Sequence, residues 1–138
     1  MNRPEEIRSV LTDTSLWFVV GLGNHPERDA YGIAAYLQRQ GKQIVPIHPR
    51  AEIVHGAQGY ATIAEAADAV GTPDVVDVFV RWDRAGEFAD QAIAAGAKAV
   101  WFQLGVVDDD AAQRVADAGL TMVMDRCPLL EWPRLVDE

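Results

Sequence analysis

Leu16-Trp17-Phe18-Val19-Val20-Gly21-Leu22-Gly23-Asn24-His25-Pro26-Glu27-Arg28-Asp29-Ala30-Tyr31-Gly32 is the stretch that decides the fold. It starts as a short run of aromatic and β-branched residues, apolar on successive positions, and passes through two glycines into a polar turn. Successive apolar positions mark a strand buried on both faces, as in a parallel sheet, rather than one with a wet face. Four similar runs follow: Ile44–Ile47, Val75–Val80, Ala99–Phe102 and Leu120–Met124.

Helical periods fill the gaps. Ala85, Phe88, Ala89, Ala92 and Ile93 follow the i, i+3, i+4, i+7, i+8 spacing, and Ile63, Ala66, Ala67 and Val70 form a shorter stripe. Thr62 and Glu65 have capping-box spacing. Ile33, Tyr36 and Leu37 mark a crossover helix stopped by Gly41; Ala112, Val115 and Ala116 mark another, ended by Gly119. Asp108, Asp109 and Asp110 open that last crossover, where carboxylates complement the helix dipole. Ile7, Val10 and Leu11 suggest a leading helix, and Leu129–Leu135 a terminal one broken by Pro133. The alternation α-β-α-β-α-β-α-β-α-β-α requires parallel strands joined by right-handed crossovers. The expected fold is α/β: a Rossmann-like, doubly wound, five-stranded parallel sheet with helices on both faces. Residues 1–138 read as one domain with its core at about 15–130.

Composition agrees with a folded chain. Of 138 residues, 49% are hydrophobic and 24% charged, and 12 basic against 21 acidic residues leave a net charge of −9. That charge argues against nucleic acid as a partner, because such binding rests on neutralising phosphates. A single cysteine excludes an intramolecular disulfide. Arg3, Glu5, Glu6 and Arg8 interrupt what a signal peptide would need as an apolar core, and no apolar run approaches the ~18–20 residues of a membrane span. A soluble, cytoplasmic protein is expected.

In a doubly wound sheet, ligands bind beyond the carboxyl ends of the strands. The first such turn is Gly21 to Gly32. Gly21 and Gly23 let a ligand approach the backbone, the following helix offers N–H groups to an anion, and Arg28 adds a cation. Asn24, His25, Pro26 and Tyr31 share that turn. The loop is not the dinucleotide fingerprint, which would want glycine where Pro26 stands, and no G-K-[ST] follows to make a Walker A loop. The second strand ends Ile47-His48-Pro49-Arg50 without the acid that holds the ribose of NAD. Arg50 instead suits a ribose phosphate, as in NADP or in the 3′-phospho-ADP part of coenzyme A. The third strand leaves through Arg81 and Trp82, where Arg81 meets phosphate or pairs with Asp83 or Asp77 at the surface. The fourth leaves through Gln103, Leu104 and Gly105.

No catalytic constellation is visible. His25, His48 and His55 lack the i, i+4 spacing of a helical zinc pair, and no G-x-S-x-G elbow occurs. Cys127, after the fifth strand, is either a packed hydrophobe or a thiol activated by Arg126 and a helix N-terminus.

Several segments in fixed order carry a resemblance. Val20-Gly21-Leu22-Gly23, Pro26, Arg28, Tyr31-Gly32, Tyr36-Leu37, Gly41 and Val45-Pro46-Ile47-His48-Pro49 resemble the small stand-alone CoA-binding proteins, relatives of the CoA-binding domain of succinyl-CoA synthetase α subunits. So do Asp74–Phe79, Gly96–Val106 and Gly119–Pro128, extending the likeness over roughly 15–130. The resemblance implies a Rossmann-like domain that binds coenzyme A or an acyl-CoA. Gly21, Gly23, Asn24, Pro26 and Arg28 fall on the family's first loop, His48 and Pro49 on its Asn-Pro, and Arg81 in its Phe-Arg segment. Three kinds of departure from that pattern stand out. Gly23 and Ala30 remove hydroxyls, His48 replaces an amide with a ring, and Phe79-Val80-Arg81-Trp82 lacks one arginine. The synthetases react through a phosphorylated histidine in a second domain that these residues do not contain, so binding without catalysis is expected. The alternatives are an NADP-dependent oxidoreductase using Tyr31, Tyr36 or Tyr60 as proton donor, and a scaffold protein with a vestigial cleft that dimerises through Trp82 or Trp132.

Overall fold

The computed structural model describes residues 1–137. The five apolar runs become strands β1 (Leu16–Val20), β2 (Gln43–Ile47), β3 (Val75–Val78), β4 (Ala99–Phe102) and β5 (Thr121–Val123). The helices are α1 (Pro4–Thr12), α2 (Asp29–Arg39), α3 (Ile63–Val70), α4 (Trp82–Ala95), α5 (Asp109–Asp117) and α6 (Pro128–Leu135). All strand pairs are parallel, in the order β2-β1-β3-β4-β5. The expected α/β fold with helices on both faces is what the chain adopts.

Alternation along each strand sorts the core into two layers. Phe18, Val20, Val76, Val78, Val100 and Phe102 pack under α3, α4 and α5, whose contributions are mostly alanines such as Ala66, Ala85, Ala89 and Ala111. Trp17, Val19, Val75, Trp101 and Val123 pack under α1, α2 and α6. Trp17 and Trp101 meet there with ring centroids 5.8 Å apart. Burying an indole costs its N–H a water partner unless a protein acceptor replaces it. Trp17 Nε1 donates to Thr14 Oγ1 at 2.9 Å and Trp101 Nε1 to the Arg126 carbonyl at 2.8 Å.

The caps follow the sequence signals. Thr62 accepts from the Glu65 N–H at 3.1 Å, and Asp108 from the Ala111 N–H at 3.0 Å. Three features differ from expectation. Met124 does not extend β5; its backbone instead bonds both ways with the Asn2 side chain, at 2.7 and 2.8 Å, a side-chain substitute for a further strand. Pro133 does not break α6, because the only bond it forfeits is to the Leu129 carbonyl near an exposed first turn. Trp132 is buried against Tyr36, so it offers no surface for a dimer.

Pro46 sits inside β2 without breaking the sheet. In a parallel strand the N and O of one residue point to the same side, and the Pro46 carbonyl accepts from Tyr60 N at 2.9 Å, away from β1. The missing N–H therefore falls on the outer edge, where proline is tolerated. The segment after β2 folds back along that edge, with His48 N donating to the Tyr60 carbonyl at 3.1 Å. Gly59 makes the return possible, since a Cβ there would lie 2.2 Å from the Glu52 carbonyl oxygen. Gly59→Ala is therefore expected to cost on the order of 2 kcal/mol by forcing backbone apart, lowering the melting temperature by several degrees.

Candidate ligand cleft

Crossovers from β1 and β3 leave toward opposite faces, α2 on one and α4 on the other. The β1/β3 boundary is thus the topological switch point of this strand order, where a crevice opens beyond the carboxyl ends. A cleft of about 960 Å³ lies there, lined by Gly21, Pro26, Arg28, Phe79, Gln103 and Cys127, and it continues along α2 and α6 past Gly32, Leu129 and Leu130.

Gly21 has φ +95°, a conformation other residues rarely adopt, and a Cβ on it would meet the Phe79 Cβ at 3.4 Å. The chain then turns through His25 N to the Gly23 carbonyl and Arg28 N to the His25 carbonyl, both at 2.9 Å. Arg28 is the N-cap of α2 in extended conformation, with no side-chain cap. Apart from the Tyr31 N–H, which donates to the Arg28 carbonyl at 3.1 Å, the N–H groups at this helix start lack intrahelical partners and carry the positive end of the dipole. Glu27 and Asp29 line the same end and offset part of that field.

Of the residues expected at the site, Gly21, Pro26, Arg28 and Gln103 share the cleft, and Cys127 joins them. Gly23 lies instead between the rings of His25 and His48, where a Cβ would be 3.3 Å from the Cδ2 of each. A side chain at this position would press on both rings and force one of them to shift by a few tenths of an ångström. His25 and His48 stand 6.4 Å apart by centroid; the His48 ring accepts from Arg50 N at 3.2 Å. Asn24 is tied to the loop after β2, donating to the Ile53 carbonyl at 2.9 Å. Pro49 and Arg50 are exposed beside this group, over β2 and outside the cleft lining. Tyr31 stacks on His55 at 4.2 Å, and Gly105 donates to Asp125 Oδ1 at 2.8 Å; neither lines the cleft. Arg81 pairs with Asp83 at 3.2 Å, one of the two surface partners the sequence offered it. Asp77, the other, is fully buried.

Cys127 is 7% exposed. Burial pushes its thiol up, against the pull of the Leu130 and Leu129 N–H groups. Arg126 does not activate it: that guanidinium turns to the Asp125 carbonyl and to Glu131. The packed form of this cysteine is the one observed.

Sequence reasoning took Asp77 for a surface group, and burial overturns that. Asp77 shares the face of Val75 with the tryptophan layer, and its Oδ1 accepts from Gln103 Nε2 at 2.6 Å while Oδ2 has no partner. The only sequence signal was an acid at the third position of an otherwise apolar strand. Burial raises its pKa from 3.8 to about 8, with the Gln103 bond opposing, so the carboxyl is held protonated at neutral pH and orients an amide of the cleft. Leu104, Leu129 and Leu130 were also missed as cleft residues, since exposed leucines have no motif.

The fold and this cleft define the class as a Rossmann-like α/β domain of the doubly wound kind, with a crevice at its topological switch point. The model of the family described as CoA binding domain matches residues 15–133, and the chain belongs to that family. It is 29% identical over 122 residues to the uncharacterized protein YneT of Bacillus subtilis (strain 168), covering 88% of each chain. It is similar to the crystal structure of Prb, described as the PH1109 protein redesigned for binding, with a TM-score of 0.91 and 36% identity, covering 100% of this chain and 95% of that one. A more distant likeness is to a putative NADPH-dependent oxidoreductase from Desulfitobacterium hafniense, with a TM-score of 0.60 and 22% identity over 82% of this chain and 35% of that one, which reflects the fold alone.

The buried acid sets a pH dependence. Below about 3.8 folded and unfolded chains both carry the Asp77 proton; between there and about 8 only the folded chain keeps it. Stability is therefore expected to fall across that window, by up to about 1.4 kcal/mol per pH unit from this group. Asp77→Asn keeps an acceptor for Gln103 and has no proton to lose. It should melt above the parent at pH 8, with the difference shrinking toward pH 4.5 in paired thermal melts.

Proposed function

We propose that the cleft binds coenzyme A or an acyl-CoA and that the protein acts as a binding module without catalysing a reaction. The observation that carries the reading is the order in which the sheet sets out the binding elements. His48 to Arg50 lie at the end of β2, the glycine turn and Arg28 at β1, Phe79 at β3, Gln103 at β4 and Cys127 at β5. These elements follow one another at strand spacings of about 4.8 Å, a line suited to an extended ligand. The nucleotide belongs over β2, where Arg50 serves the 3′-phosphate. The diphosphate belongs at Gly21 to Arg28 and the first turn of α2, where N–H groups and a cation converge. The pantetheine arm runs across Phe79 to the uncharged end at Gln103 and Cys127. Family membership supports the same ligand class.

The oxidoreductase alternative is disfavoured by the placement of its proton donors. Tyr31 packs on His55, Tyr36 on Trp132, and Tyr60 lies along the outer edge of β2; none of the three lines the cleft.

Thermal melts with coenzyme A, dephospho-CoA, NADP, NAD and ATP at equal millimolar concentration test the reading. A ligand at ~100 times its dissociation constant adds about 2.7 kcal/mol, several degrees for a domain of this size. The largest shift is expected with coenzyme A, a smaller one with dephospho-CoA, and Arg28→Ala should reduce both. A shift with NADP alone, or none with any of them, would overturn it.

A further inference from the structure

Charge is divided unevenly along the cleft. The β1 end carries Glu27, Arg28 and Asp29, whereas Gln103, Leu104, Val106, Cys127, Leu129 and Leu130 at the β4 and β5 end carry none. Leu104 and Leu130 are 55% and 57% exposed, and Leu129 is 37% exposed. A single exposed leucine means little, but here three converge, Leu104 from the loop after β4 and Leu129 and Leu130 from the first turn of α6, on one cleft that continues between α2 and α6.

Gly32 is a second and independent observation. It lies in the interior of α2, where glycine costs a helix stability relative to alanine. No neighbour demands it: an added Cβ would meet nothing within 4 Å, and its φ is not in the left-handed region. Gly32 nevertheless lines the cleft, as does Arg39 seven residues on, so both lie on one stripe of α2, about 10 Å apart along its axis. The protein's own packing leaves this strip bare, beside the exposed leucines and next to the end where the thiol of coenzyme A would arrive.

We infer that this groove is an acyl compartment: the ligand is a CoA thioester whose aliphatic chain lies over Gly32, against Leu129 and Leu130, with Leu104 at its mouth. The inference rests on the coenzyme A reading and names the ligand class within it. Cys127 and Val106 form an apolar floor, and the Arg39 side chain borders the outer stretch with its aliphatic stem available to the chain.

Isothermal titration of the full chain with coenzyme A, acetyl-CoA, hexanoyl-CoA and decanoyl-CoA tests it. Affinity should climb along the series, by roughly two- to fourfold for each methylene that enters the groove. Gly32→Leu, which fills the strip with a good helix former, should lower the ratio of decanoyl-CoA to CoA affinity at least tenfold. Gly32→Ala serves as the folding control and should melt slightly above the parent. Equal affinities across the series, in a protein that does bind coenzyme A, would overturn the acyl compartment and leave the CoA reading standing. Failure to bind any of the four would remove both.

Discussion

Burial of both faces of the three central strands is the constraint on which the rest depends. The described residues of β3 and β4 and nearly all of β1 are closed to solvent, so each face needs its own helical layer. The two layers are built differently. One sets the tryptophan pair Trp17 and Trp101 beneath α1, α2 and α6; the other presses alanine-rich helices onto Phe18 and Phe102. Splitting the helices between two faces is also what creates a crevice at the β1/β3 boundary. The ligand cleft is thus a by-product of how the sheet is covered.

That origin explains the chemistry found there. Strand ends bring both backbone and side chains such as Gln103 to the crevice, and two of its glycines leave it open: Gly21 under Phe79 and Gly32 on the flank of α2. Asp77, the one fully buried acid among the described residues, cannot ionise cheaply in such surroundings, and it acts through its neutral form by holding Gln103. Charge at the cleft is concentrated at the β1 end, in Glu27, Arg28 and Asp29, with Arg39 at the outer end of α2.

The two-sided apolar runs, the Thr62 and Asp108 caps and the glycine turn after β1 were legible because each is a local property of spacing and residue type. That Gly21, Pro26, Arg28 and Gln103 line one cleft follows from the same local signals, since they sit at strand ends or in the turn after β1. What escaped reading depended on neighbours distant in the chain. Met124 looked like strand but pairs with Asn2, 122 residues away; Asp77 looked like a surface partner for Arg81 but faces the tryptophan layer; Trp132 looked exposed but packs on Tyr36.

Residue pattern alone was enough to specify five parallel strands, the crossovers between them and the turn at which a ligand would meet backbone, because hydrophobic period and glycine placement act over a few residues. Only the tertiary structure decided the strand order, and with it that the ends of β2, β1, β3, β4 and β5 fall in one line. It also decided which side chains share the cleft, since Arg28, Gln103 and Leu130 are brought together by packing across the sheet, and no local period encodes a contact between residues so far apart.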